Sequence, residues 1–174
     1  MAVQTPARNA EAQKAALKNT TRSLVDLLGK PYLNAVCMAS ATLQNVPWQQ
    51  TEQLASTPVE FYPPSLQFRL DDLIESVGAF VSEPFQHSNS GAGTNAFNKA
   101  TTTAHSPLAA LGFVRVGEDG RAYFTSKSEH YHASLGHAFP GYKLVEIAHQ
   151  LGIPNATHNN TRGHITRLLE QELV

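Results

Sequence analysis

His130 and His132 are separated by one residue, so on a strand their imidazoles would project from the same face. Two imidazoles so placed can take a divalent metal, as in hydrolases built on an H-x-H pair. Such a centre needs a third ligand, commonly a carboxylate. Glu129, His137, His158 and His164 are available for that place, but no H-E-x-x-H spacing fixes any of them. The plainer reading, hydrogen-bonded and partly exposed histidines, is preferred, and no metal is assigned. Cys37, the only cysteine, lies among small apolar residues and reads as a buried small hydrophobe. There is no G-x-S-x-G elbow, P-loop or G-x-G-x-x-G fingerprint. Gly91-Ala92-Gly93 sits in a polar stretch and reads as a flexible loop.

The densest polar cluster runs from Asn155 to Gly163. One reading makes it a capping loop, with Asn160 or Thr161 accepting hydrogen bonds from first-turn amides. The other makes it an anion contact, because Arg162 and a helix N-terminus both favour negative charge. The two are compatible. Lys127 and Glu129 read as solvated side chains.

Residues 7 to 28 carry Ala15, Ala16, Leu17, Leu24, Val25, Leu27 and Leu28 roughly on one face and predict a helix, which Gly29 and Pro31 end. The small-residue stretch from Tyr32 to Leu43 is read as a short helix. From Pro47 to Pro64 the prolines predict mostly loop, with a helical piece around Thr51 to Ser56. Leu66, Leu70, Leu73, Ile74, Val77, Phe80 and Val81 recur at helical steps and predict a helix from Ser65 to Val81. The Ser, Thr, Asn and Gly-rich segment from Phe85 to Ser106 reads as a linker or functional loop. Two β-prone runs, 113–116 and 121–124, flank Gly117-Glu118-Asp119-Gly120 and predict a hairpin. Helices follow over Leu144 to Leu151, closed by Gly152 and Pro154, and over Ile165 to Leu173. The expected class is therefore α+β and mostly helical. A helical region 1–84 and a polar linker 85–106 precede a 107–174 segment made of a hairpin and two helices.

The chain has 174 residues, a formal net charge of -1 and 41% hydrophobic residues, enough apolar material for a core. The charge balance argues against an electrostatically driven nucleic-acid binder. One cysteine excludes a disulfide framework and a cysteine-based zinc site. No apolar run approaches the roughly 18 residues of a membrane span, and the N-terminal residues show no apolar signal core. A cytoplasmic protein without nucleic-acid or membrane partners is the expectation. The last helix stops on Leu173-Val174 without a capping glycine or polar tail, which reads as a truncation.

Residues 112 to 170 resemble the N-terminal part of class III pyridoxal-phosphate-dependent aminotransferases. The resemblance rests on Val116-Gly117-Glu118-Asp119-Gly120-Arg121-Ala122-Tyr123, similar to the family's opening hairpin, and on Leu135-Gly136-His137-Ala138-Phe139-Pro140, similar to its L-G-H-x-x-P motif. Departures are Thr125, where the family has Asp, and Glu129, where it has the glycine of a Ser-Gly pair. The resemblance implies the start of a fold-type I PLP-dependent transferase, a homodimer when full length. Such an enzyme passes an amino group from an amine or amino acid through pyridoxal 5'-phosphate to a keto acid or aldehyde. It places Ser128, Glu129, His130 and Tyr131 on the substrate side, Arg162 near the active-site rim, and Gly136 and His137 in a structural turn. The family's phosphate loop and catalytic lysine would lie downstream, so no catalytic residue is assigned and this chain alone is expected to be inactive. The alternatives are a non-catalytic helical interaction domain and a metal-dependent hydrolase using His130 and His132.

Overall fold

The structure, a computed structural model, describes residues 17–89, 91–100, 103–125, 133–154 and 163–173. Over these residues the protein is α+β, with short helices and two small antiparallel sheets. The chain divides into two compact units that alternate along the sequence. A helical unit comprises Asn19–Phe61 and Pro140–Val174; a sheet unit comprises Met1–Lys18 and Tyr62–Phe139.

In the helical unit, strand β1 (Thr21–Arg22) pairs with β2 (Val59–Glu60), Thr21 opposite Glu60 and Arg22 opposite Val59. Helix α1 spans only Leu24–Leu28. The predicted helix over 7–28 is thus confined, among the described residues, to its last turn. Ser23 explains the late start: it is extended, its side chain accepts from the Asp26 amide, and the Asp26 carboxylate accepts from the Ser23 amide at 2.7 Å. This capping box sets the helix N-terminus, and the apolar spacing before it does not continue the helix. Gly29 ends α1 as expected, while Pro31 opens the next helix instead of barring it. Gly29 closes α1 through its amide to the Val25 carbonyl, and Pro31 sits in the first turn of α2 (Lys30–Gln44), where its missing N–H costs nothing. Leu33, Cys37, Ser40 and Ala41 of α2 fall on one buried stripe. Asn45, left-handed at φ 53, ends the helix. Helix α3 (Trp48–Ala55) starts earlier than the prolines suggest, because Pro47 is extended and serves as its N-cap.

Near the end of the chain, a 3₁₀ turn at Pro140–Tyr142 leads into α6 (Lys143–Gln150), which buries Leu144 and Ile147; α7 spans His164–Leu173. The core joins Leu24, Leu33, Cys37, Ala55, Val59, Leu144, Ile147, Leu151 and Ile153. The Gln44 amide nitrogen donates to the Gln150 carbonyl at 2.9 Å, tying the end of α2 to that of α6. The Tyr32 and His164 rings stack at 4.1 Å, which fixes the start of α7.

In the sheet unit, α4 spans Pro64–Glu75 and its buried residue is a glutamine. Gln67 donates to the Leu17 and Tyr62 carbonyls at 2.9 and 2.8 Å and accepts from the Leu17 amide at 2.8 Å, so the buried amide is fully paired. The predicted helix to Val81 ends six residues early. From Val77 to Ser82 the backbone instead runs beside β5 (Ala122–Phe124): Gly78 donates to the Ala122 carbonyl, Ala122 to Ala79, and Val81 to Gly120. A strand edge with unpaired amides competes for this segment and wins over its helical apolar spacing. The polar stretch 85–106 contains a short helix, α5 (Asn95–Ala100), and a 3₁₀ turn at Thr103–His105. An unpredicted strand, β3 (Pro107–Leu111), precedes β4 (Val114–Gly117), giving an antiparallel β3-β4-β5 sheet.

Candidate functional site

The predicted hairpin forms, with Val114 opposite Phe124 and Val116 opposite Ala122. Its turn is a three-residue loop with a glycine bulge. Gly120 donates to the Gly117 carbonyl at 2.9 Å, and Gly117 donates to the Arg121 carbonyl at 2.9 Å. Gly120 has φ +80, and a Cβ there would run into the Ser82 carbonyl, so both torsion and space require glycine. Asp119 locks the turn from within. One carboxylate oxygen accepts from the Arg121 amide at 3.0 Å and the other from the Tyr123 hydroxyl at 2.6 Å. The Arg121 guanidinium lies over Phe80 at 4.0 Å and donates to the Gly78 carbonyl at 3.0 Å. The His105 ring meets Tyr123 edge-on at 4.8 Å.

This network sets the charge state of the turn. Burial alone would raise the Asp119 carboxyl, but the Tyr123 hydroxyl, the Arg121 amide and the Arg121 and His105 charges together hold it below the ordinary value. The reciprocal bond to Asp119, with burial and the Asp119 charge, pushes the Tyr123 hydroxyl up. The proton therefore stays on Tyr123 and the negative charge on Asp119, an arrangement suited to bracing a turn rather than to proton transfer at neutral pH.

The second motif is built onto the same sheet. Gly112 and His137 exchange backbone hydrogen bonds at 2.8 Å each, and Gly136 donates to the Ala133 carbonyl at 2.8 Å. Gly136 has φ +90, and a Cβ there would lie 3.0 Å from the Gly112 Cα. Ala138 is also left-handed, at φ 54, a conformation an alanine adopts only under constraint. Phe139 is buried and packs on Tyr62, with ring centroids 5.1 Å apart. The His137 Nε2 is buried without a hydrogen-bond partner among the described residues.

Ser128, Glu129, His130, Tyr131 and Arg162, the residues expected at the substrate, lie outside the described residues, as does His132. Of the further histidines considered for a metal, His137 belongs to the sheet unit and His164 to the helical unit, while His158 lies outside the described residues. Among the described residues no three His, Cys, Asp or Glu side chains gather where they could hold a metal ion, and no helix is long and apolar enough to cross a membrane. Nor do the described residues suit pyridoxal phosphate. Lys18, Lys30, Lys99 and Lys143 are all exposed, so none of them is shielded as a Schiff-base lysine must be.

A cavity does occur in the helical unit, where sequence reasoning placed only a buried cysteine and a loop tryptophan. Asn34, Cys37 and Met38 of α2 and Trp48 and Glu52 of α3 line a shallow cavity of about 70 Å³ that is open to solvent on one side. Thr51 holds the two helices together: its hydroxyl lies 3.0 Å from the Cys37 carbonyl and 2.8 Å from the Trp48 carbonyl, and its one proton serves either. Burial pushes the Cys37 thiol up, the Thr51 hydroxyl opposes this and the nearby Glu52 charge adds to it, so the thiol stays neutral. Trp48 and Glu52 lie one helical turn apart, a spacing that marks one helix face because Pro47 caps a helix here.

The chain thus belongs to the α+β class, with a glycine-dependent sheet and a helical cavity. No protein-family model, no curated protein and no solved structure matches it.

Proposed function

We propose that this chain is the N-terminal portion of a cytoplasmic, homodimeric class III PLP-dependent aminotransferase, moving an amino group between an amine or amino acid and a keto acid or aldehyde. The supporting observation is the way its two motif stretches meet. The Gly117–Tyr123 hairpin and the Gly136-His137 turn are separate in sequence, yet they adjoin on one sheet through the Gly112–His137 hydrogen bonds. Each also uses glycine at a position where a side chain would not fit. As the resemblance implies, Ser128, Glu129, His130 and Tyr131 are assigned to the substrate side and Arg162 to the active-site rim. PLP, when bound, supplies the electron sink for the transfer. In this reading the groups that hold it lie in sequence downstream of the resemblance.

The test is made on the product of the whole reading frame, purified with added PLP. It is expected to retain one PLP per chain and to transfer an amino group to a 2-oxo acid, while the 174-residue chain does neither. A whole product that retains no PLP and transfers no amino group overturns the reading. A second reading, a non-catalytic helical interaction domain, is favoured by the exposed apolar side chains of Leu43 and Leu173, 85% and 76% exposed. It predicts a whole product that ignores PLP.

A further inference from the structure

Glu52 lies half-buried at the cavity between α2 and α3, and no hydrogen bond or ion pair reaches its carboxylate among the described residues. No lysine or arginine lines the cavity. The remaining walls are the Trp48 indole, the Met38 thioether, the neutral Cys37 thiol and the Asn34 carboxamide. The Asn34 carboxamide, too, has no hydrogen-bond partner among the described residues. A carboxylate with no positive partner beside it favours a cation. An indole face favours the same charge through its quadrupole. A carboxamide oxygen can accept a further N–H, and the thioether and thiol suit a short apolar tail. The enclosed space is about 70 Å³, far below the roughly 300 Å³ at which pockets begin to hold drug-sized ligands, and Asn34, Met38 and Trp48 are exposed at its rim. The occupant is therefore a small head group.

We propose that this cavity binds a small primary ammonium ligand. Its charged head pairs with Glu52 and Asn34 against the Trp48 ring, and its short alkyl tail rests on Met38 and Cys37. The inference is independent of the aminotransferase reading, since the cavity lies wholly in the helical unit and uses none of the motif residues.

The chain contains one tryptophan, and it lines the site, so intrinsic fluorescence reports occupancy directly. The purified chain is titrated with n-butylammonium chloride and with butan-1-ol at fixed ionic strength. A saturable change with the amine and none with the alcohol is expected. Glu52→Gln is expected to weaken amine binding about ten- to hundredfold, the range for a hydrogen bond to a charged group. An equal response to amine and alcohol, or no saturable response to the amine, overturns the proposal without any variant. Unchanged amine affinity in a Glu52→Gln protein that retains the parent circular dichroism overturns it as well.

Discussion

Leu33 and Leu151 in the helical unit are 1% and 2% exposed, whereas Ile74, Phe113 and Phe124 in the sheet unit are 51%, 51% and 56% exposed. The helical unit is held by side-chain burial: a stripe on α2 meets Ala55, Leu144, Ile147 and Leu151 in one apolar cluster. The sheet unit, over its described residues, buries little beyond Val114, Ala122, Ala133 and Phe139. It is held instead by backbone hydrogen bonds and by glycines where chain segments come too close for a Cβ. The difference teaches where each unit is fragile. Removing methylenes should damage the first, and adding a single methyl at a turn should damage the second.

The largest expected effect tests the first half of that contrast. Leu33→Ala should destabilise the helical unit by about 2–5 kcal/mol, because the cavity opens inside packed helices. Phe113→Ala, on an exposed ring, should change the stability of the sheet unit by no more than about 0.5 kcal/mol. Urea unfolding followed by Trp48 fluorescence measures the former, and amide exchange of β4 the latter. Equal costs at the two positions would erase the comparison.

Gly120→Ala comes next. A left-handed alanine costs about 1–2 kcal/mol, and its Cβ would also press on the Ser82 carbonyl. The expected outcome is a loss of about 2 kcal/mol, seen as faster exchange of the Val81 and Ala122 amides, which bond across this junction. Exchange at the parent rate would mean that the turn does not need its glycine. Ala138→Gly inverts the argument and should be smaller. Removing the Cβ at φ 54 relieves strain, while glycine's extra freedom in the unfolded chain offsets part of the gain. A net stabilisation of about 0.5–1 kcal/mol in thermal unfolding is expected, and a destabilisation would show that Ala138 is not strained.

The same contrast governs what could be read from the sequence. The α6 and α7 helices and the Asp119-Gly120 hairpin were legible because each carries local information: apolar spacing for the helices, a positive-φ glycine for the turn. The α4 helix was legible in position but not in length, since the segment from Val77 to Ser82 is set by a distant strand edge. Strand β3 was missed because Leu108, Ala109, Ala110 and Leu111 have no alternation; it exists because β4 offers a partner. The late start of α1 was written in the Ser23–Asp26 capping box, a signal that apolar counting passes over. The cavity was legible only in its Trp48 and Glu52 wall, because the rest needs α2 and α3 to face each other, joined by Thr51 and Cys37 14 residues apart. The segment from Ser128 to Tyr131 lies outside the described residues, so its assignment rests on the motifs that flank it.

The smallest effect concerns the charge inside the hairpin turn. Asp119 titrates below its ordinary value of 3.8 when folded, so its contribution is present above that pH and is lost as pH falls through the lowered value. Tyr123 titrates above its ordinary value of 10.0, so its contribution is present below that pH and is lost as pH rises through the raised one. Both groups are partly open to water, which screens the pair and keeps its effect on stability slight. Tyr32, raised by burial in the helical unit, adds an alkaline limb of its own, so a global unfolding curve cannot isolate the turn. The readout must be local: the Asp119 carboxyl carbon followed by NMR through an acid titration. In Tyr123→Phe the 2.6 Å hydroxyl donor is gone, while the Arg121 amide and the Arg121 and His105 charges stay. The Asp119 midpoint should therefore move up toward 3.8. An unmoved midpoint would show that the backbone amide and the neighbouring cations hold the turn without the tyrosine, and that even this side-chain bond follows from the backbone geometry of the sheet unit.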